Sequence, residues 1–535
     1  MFFLCLNLTT NNLVRGGKFM RTSKKIFLYL VLLFLILFVM SQAQSSQKIF
    51  TAWWGIYSPS VAKYTNADFS SVLAWQELFK KFGVTIKFNH PPVGQETDNF
   101  RLMIASQEIP DLIYAMLNTG AYGAPLYPGG WDKAIEDGVI IRLNELIDKY
   151  MPNLKALLRK YPQLRRDITT DRGNIFFLPL IQFNWYPWGG LQVRKDWLEE
   201  LGLKEPVTYD DWYKMLKLFK DKKGAVMQLL YAGFHMYDLF NAGFGVSAGF
   251  YQIAGKVKYG YLEPGMLEYL KMMNKWYKEG LIDKDFYAKR DYFPDISSII
   301  TGKYGAWMGP WMKSMYKNLS KDPKFDVVAV PPPVKKVGDK IHLVGLTFKP
   351  MIVDITGLMI TSRCKDPVTV AKFFDYLYSK EGSILRNYGV EGVTFKYVNG
   401  KPVFTDLVTS VKDGNYKFKY VVGTAPGIKD CVEVDLEAMP WVTEEDKKVY
   451  TEIWAKSDMK WVMPDWLSFT TEEGEKVSKI MADVQTFTEE TIPKFIIGSI
   501  PLSQYNTYFV KRLKDLGIDE VISIYQRALD RYRKR

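Results

Sequence analysis

The sequence predicts an α/β protein, on three observations. Short apolar runs of strand length alternate with amphipathic helical stretches through most of the 535 residues, the pattern of strands covered by helices. The length exceeds one ordinary domain and is enough to bury two sizeable cores. No internal repeat or low-complexity linker interrupts the alternation.

Taken in order, Ile49 to Trp54 reads as a strand. Ser71 to Phe82 reads as a helix, with Val72, Trp75, Leu78, Phe79 and Phe82 at helical spacing and Gly83 as its stop. Val84 to Phe88 is a second strand, Asn99 to Ala105 a short helix, and Ile109 to Tyr114 carries the next strand. A second unit opens near the strand Leu191 to Val193, followed by a helix from Asp196 to Leu201 closed by Gly202. Tyr209 to Lys220 is a helix with Thr208 as its cap, and Gly265 to Glu279 is another. Pro331 to Pro333 and Gly345 to Met351 read as connections, Ile352 to Ile360 as a strand, and Pro367 to Ser379 as a helix. The last part is mostly helical and ends in an amphipathic stretch, Ile518 to Arg533.

Ahead of all this stands a leader. Arg21, Lys24 and Lys25 precede an unbroken apolar run, Ile26 to Met40, and Ser41-Gln42-Ala43 follows as a small-x-small exit. That is the build of a secretory signal peptide. The run is short for a spanning helix, which needs about 20 residues, although a retained anchor is the alternative. Met20 is the expected start, with residues 1–19 untranslated, and no cysteine near the exit offers a lipid anchor. Export to a periplasm or cell surface is the expectation.

Cleavage at Ala43 would leave about 490 residues and lower the net charge from +13 to about +8, with Lys interleaved among Asp and Glu. No basic block of the kind that binds nucleic acid is present. Beyond the leader only Cys364 and Cys431 remain, able to pair but expected as two buried thiols. His90, His235 and His342 are scattered, with no zinc spacing. Aromatic residues make up 15% of the chain. Most are core, but such an excess also suits flat rings stacked on the apolar faces of sugars.

Several segments, in this order, resemble the extracellular solute-binding proteins of ABC importers, in the cluster that includes maltose-binding protein. "KIFTAWWG" and "LAWQELFKKFGVTIKF" resemble its opening strand, helix and strand, and "FRLMIASQEIPDLIYA" its helix-to-strand segment. "WDKAIEDGVIIRLNELID" is similar to its next helix and Gly turn, and "GKYGAWMGPW" to the segment presenting a sugar-stacking Trp. "LQVRKDWLEELGLKEPVTYDDWYKMLKLFKD", "YGVEGVTFKYVNG" and the stretch from Phe495 to Tyr532 resemble the large oligosaccharide receptors of about 500 residues in that group. The resemblance implies the two-lobe periplasmic-binding-protein fold, with a ligand cleft between the lobes and a helical C-terminal region. It places residues 48–183 and 352–390 in the N-terminal lobe, and residues 191–345 and 391–535 in the C-terminal lobe. It implies no cofactor. Many of these receptors hold calcium after the helix matching Tyr209 to Lys220. Here that stretch, from Asp221 to Val226, sets one carboxylate beside two ammonium groups, a poor cation site.

Ligands of open α/β sheets sit beyond the carboxyl ends of strands, which directs attention to the residues there. Trp53 and Trp54 end the first strand, and because neighbours point opposite ways one is expected in the core and the other at the cleft. Asp111 belongs to a family motif and is either structural or a ligand contact; Asn118, beyond the strand, is a polar candidate. Trp185 and Trp188 lie at the crossing between lobes, as stacking rings or hinge packing. The resemblance makes Trp311 the stacking ring, with Trp307 equally suited to the core. Tyr388 and Glu391 match the Glu-Gly segment. Arg194 either meets an acidic sugar or pairs with Asp196, and Trp461 and Trp466 either extend the rim or pack on the C-terminal helices.

No nucleophile elbow, metal cluster or phosphate loop is visible, so an enzyme is not expected. The expectation is a monomeric, exported receptor that captures an oligosaccharide and delivers it to a membrane permease. A receptor for a peptide or other non-sugar solute is the alternative, and a carbohydrate-active enzyme a remote one.

Overall fold

The computed structural model describes residues 47–535 apart from 57–58, 67, 93–94, 118–125, 184–186, 188, 230–238, 289–293, 344–352, 412–413, 424 and 430–442. The first strands are β1 (Lys48–Trp54), β2 (Val84–Asn89), β3 (Leu112–Met116) and β4 (Leu178–Gln182). β5 (Gly189–Arg194), β6 (Val226–Met227), the hairpin β7 (Phe250–Ile253) and β8 (Lys256–Tyr259), β9 (Tyr304–Pro310) and β10 (Val327–Val330) follow. β11 (Val353–Ile360), the hairpin β12 (Phe395–Val398) and β13 (Lys401–Phe404), and β14 (Gly427–Lys429) complete the set among the described residues.

The strands form two main sheets, as an α/β chain with two cores requires. The first runs β14-β4-β11-β3-β1-β2, the second β10-β5-β9-β6. β1 pairs in parallel with β2 and β3, and β14 in parallel with β4. Only β11 opposes its neighbours in the first sheet. In the second sheet β5 is the reversed strand, antiparallel to β9 and β10, while β6 lies parallel to β9. β3 and β4 are almost wholly apolar and buried, as strands covered on both faces must be.

Local chemistry accounts for the helices. The helix Leu73–Phe82 buries Ala74, Trp75, Leu78 and Phe79 and stops at Gly83, whose φ of 61° is left-handed. It starts two residues later than its periodicity suggests, because Asp68 caps a separate turn at Phe69–Ser71. Thr208 caps the helix Tyr209–Lys223 in a reciprocal box with Asp211, so Asp221, Lys222 and Lys223 are helical. The helix expected from Pro367 to Ser379 ends at Asp375, and Ser379 instead caps a further helix, Lys380–Tyr388. Thr470 and Glu473 box the start of the long helix Thr471–Ile497. At its other end the Asn274 amide donates to the carbonyls of Phe495 and Ile496, which have no partner within the helix.

Two large cores result. One gathers Trp54, Trp75, Tyr114, Phe177 and Phe374 around the first sheet. The other packs the C-terminal helices, through Val477, Val521 and Tyr525, against Leu191, Met308 and Trp276. Strand alternation sends Trp307 of β9 to a third, smaller cluster on the opposite face, with Tyr316 and Trp454.

The division of the chain differs from the expected one beyond residue 390. β14 pairs with β4, and the hairpin β12–β13 packs its Phe395 and Phe404 on Tyr388. Residues 391–429 therefore stand largely with the first sheet, since β4 would otherwise be left as an edge. Cys364 is buried, which pushes its thiol pKa up to about 11; Cys431 lies outside the described residues.

Candidate functional site

The chain crosses between the two sheets at the same kind of edge in each. β4 ends at Gln182 and β5 begins at Gly189, and a chain of that length spans at most about 25 Å even when fully extended. Gly189 pairs with Pro310, the carboxyl end of β9. The carboxyl ends of the parallel strands of both sheets are thus tied together by one short crossing, and a cleft there is where ligands of such sheets bind. Two glycines permit the approach: a β-carbon on Gly189 would press on the Gly309 carbonyl, and one on Gly190 would enter the Trp454 ring.

On the first-sheet edge, Trp54 is fully buried, stacked on Tyr114 at 4.6 Å and edge-on to Trp75 and Phe88. Trp53 is buried as well, edge-on to Phe100 at 5.9 Å. The anticipated split, one ring inside and one at the cleft, is not seen; both sides of β1 are covered. Trp54 nevertheless shapes the edge through its backbone, whose carbonyl accepts from His90 Nδ1 at 2.8 Å. That leaves His90 Nε2 as an acceptor, buried and without a partner among the described residues. Burial lowers the His90 pKa against the opposing pull of that bond and of Asp68, so the ring is neutral at pH 7.

Four polar side chains that the sequence reading passed over, Asp354, Gln182, Thr356 and Tyr114, stand on the same edge. Asp354, near the start of β11, accepts from Gln182 Nε2 at 2.5 Å and from the Thr356 backbone N–H and hydroxyl at 3.0 and 2.9 Å. Because the Thr356 hydroxyl donates to a carboxylate, the Tyr114 hydroxyl 2.7 Å away donates to it in turn. Met116 ends β3 with 38% of its surface exposed. The signal available was a lone carboxylate inside the apolar run "MIVDITGLMI", a costly placement unless its charge is used.

On the opposite edge, Trp311 follows directly on β9. It is mostly buried, its Nε1 donates to Asp446 Oδ1 at 2.5 Å, and Trp454 meets it edge-on at 6.1 Å. Gln192 Nε2 holds the strand end by donating to the carbonyls of Gly309 and Pro310.

The remaining candidates fall elsewhere. Asp111 sits at the amino end of β3, away from the cleft edge, where it accepts from the Thr51 backbone N–H and hydroxyl and ties β3 to β1. Tyr388 is buried beneath the hairpin β12–β13. Glu391 is exposed beside an outer depression that it lines with Lys80, Lys81, Tyr376 and Tyr397. Arg194 is clamped by Asp196 and sandwiched between Trp197 and Phe325. Trp461 packs against His342; of this group Trp466 alone reaches the first-sheet edge, stacked on Phe177 with its Nε1 donating to the Val353 carbonyl at 3.5 Å. Asn118, Trp185 and Trp188 lie outside the described residues.

Residues 66–384 match the family described as bacterial extracellular solute-binding protein. The fructooligosaccharide ABC transporter substrate-binding protein FusA of Streptococcus pneumoniae is 26% identical over 502 residues, covering 87% of this chain and 88% of FusA. Among solved structures, the alginate-binding protein AlgQ2 without calcium ion matches 91% of this chain and 98% of its own at a TM-score of 0.71 and 25% identity. A FusA EF-hand mutant in complex with fructo-nystose shares the fold, at a TM-score of 0.71 and 22% identity, over 91% of this chain and all of its own. With the family match spanning more than half its length, and carboxyl edges of two sheets joined by one short crossing, the chain belongs to the bacterial extracellular solute-binding protein family.

Proposed function

We propose that the protein is the exported, monomeric substrate-binding component of an ABC importer, which captures an oligosaccharide and hands it to a membrane permease. The observation that carries this reading is the pair of carboxyl edges joined by one short crossing, one ending in the Trp311 ring and the other bearing a set of fixed hydrogen-bond acceptors. A sugar offers both an apolar face and hydroxyl donors. The similar FusA, named for a fructooligosaccharide, and AlgQ2, named for alginate, support the ligand class. Binding to both edges would favour a closed arrangement of the lobes by a hinge motion. The first lobe comprises residues 48–183 and those from 353 to 429, the second the rest of the chain after residue 189.

A thermal-shift screen of residues 44–535 tests the reading. A ligand that binds only the folded chain raises its stability by about 2.7 kcal/mol at a hundredfold excess over Kd. A midpoint rise with one glycan series and no product is the expected result. A rise with peptides alone transfers the function to a peptide receptor, and turnover of a glycan makes the protein an enzyme.

A further inference from the structure

We propose that Asp354 is a ligand contact of this cleft and selects uncharged oligosaccharides over those bearing uronate groups. The inference rests on the receptor reading above and narrows it, since the similar receptors bear names from both chemical classes, a fructooligosaccharide and the polyuronate alginate.

The first argument is placement. β11 runs antiparallel to both neighbours, so its amino end lies where theirs have carboxyl ends: Val353 pairs with Ile181 and Thr356 with Met116. The register between β11 and β4 shifts between Val353, paired with Ile181, and Gly357, paired with Pro179, so that three residues of β11 face Leu180 alone; Pro179 at the end of the shift has no N–H to offer the ladder. Such a break turns a side chain out of its regular direction, a device common beside binding sites. Asp354 stands within it.

The second argument is the unused acceptor. A carboxylate offers about four lone-pair positions. Thr356 occupies both on Oδ1, and Gln182 takes one on Oδ2. Among the described residues one position on Oδ2 is left, on a side chain that is only partly buried, and Asp354 makes no ion pair. The bond to its own residue i+2 would suffice for a purely local turn; the added Gln182 bond and the hydroxyl relay from Tyr114 do more, holding the carboxylate in one orientation. Tyr114 is itself fixed by its stack on Trp54.

The third argument is chemistry. A fixed carboxylate accepts a hydrogen bond from a sugar hydroxyl and gains by the charge on the acceptor. A sugar carboxylate brought to the same point meets a like charge, the repulsive element by which binding sites reject near-relatives of their ligands. Asp446 at the other edge, holding Trp311, adds a second negative group and likewise makes no ion pair among the described residues.

The experiment is calorimetry on residues 44–535 with a neutral panel (kestose, raffinose, maltotriose, xylotriose) and an acidic one (trigalacturonate, trimannuronate). The wild type is expected to bind a neutral member and neither uronate. Asp354→Asn is expected to weaken the neutral ligand at least tenfold and to narrow the gap between the two panels. A turn-stabilising role alone would lower the melting temperature without altering that gap. Tighter binding of a uronate by the wild type overturns the selectivity, and neutral affinity within twofold of wild type in a folded Asp354→Asn overturns the contact. Should Asp354→Asn fail to fold, Gln182→Ala keeps the carboxylate but frees it. A loss of about threefold is expected there, and unchanged affinity overturns the proposal. No glycan binding by the wild type would instead remove the receptor reading, and this inference with it.

Discussion

Trp311 and His90 show how single residues at the cleft edges are set by what lies behind them. The Trp311 indole is oriented by Asp446 and Trp454, so a ligand would meet a ring whose rotamer is already chosen. Trp311→Ala should weaken glycan binding by about 1–3 kcal/mol, the scale of one lost stack with its burial. Unchanged affinity in calorimetry would take Trp311 out of the site. His90 is held neutral by burial, while in the unfolded chain it titrates near the ordinary imidazole value of 6.5. The unfolded state therefore binds the extra proton first. The contribution of His90 to stability is complete above pH 6.5 and is lost as pH falls toward the depressed folded value. Melting temperatures from pH 8 to 5 should fall less steeply in His90→Gln than in wild type; parallel curves would show that His90 does not carry the effect. These two residues also mark what was legible. Trp311 was named through the family resemblance of its segment, and the structure places it directly after β9. Asp354 and His90 matter only because distant strands bring Gln182, Tyr114 and the Trp54 carbonyl to them. Asp111 shows the opposite: a motif residue named from sequence whose partner, Thr51, assigns it to the scaffold.

At the level of elements, β11 is the strand on which the cleft edge depends, and it is built around a glycine. A β-carbon on Gly357 would drive into the Phe177 ring and lie 2.9 Å from Leu117 Cδ1, both core atoms with no free direction to yield. Gly357→Ala should cost about 1–3 kcal/mol of stability by overpacking, read by urea denaturation, and a neutral result would mean that Phe177 can repack. Elements with strong local signals were legible: Gly83 and Thr208 end and begin helices as the sequence implies. Elements defined by their partners were not. β14 is three residues long and is a strand only because β4 offers its open side. Helix Lys380–Tyr388 was hidden because its cap, Ser379, reads equally well as the end of the helix before it.

For the whole molecule, the C-terminal helix Ile518–Tyr532 joins the two units. Its apolar face belongs to the second core, while its end grips the segment before the first crossing. Arg531 and Arg535 both donate to Asp171, the Tyr532 hydroxyl donates to Asp167, and Arg535 also reaches the Trp466 and Thr169 carbonyls. Glu473 takes Arg527 and Arg531 from the other side; burial opposes its charge, but these partners prevail and lower its pKa. Asp171→Asn takes its carboxylate partner from the nearly buried Arg535, while Arg531 keeps Glu473, and should cost about 2–4 kcal/mol in chemical denaturation. A loss under half of that would show that the Thr169 and Trp466 carbonyls suffice to hold Arg535. The sequence showed this helix but not its reach, since Asp167 and Asp171 sit in a part of the chain with no pattern of their own.

The strand order of the first sheet has a consequence in time. β4 is flanked by β11 and β14, and its partner at Gly427 follows Leu180 by about 250 residues of intervening chain, so the loop to be closed is long and its closure slow. The sheet cannot be completed until residue 429, about four-fifths of the way along the 535-residue chain, has emerged. In a chain exported unfolded, as proposed above, such a first lobe would stay threadable until most of the polypeptide has been made.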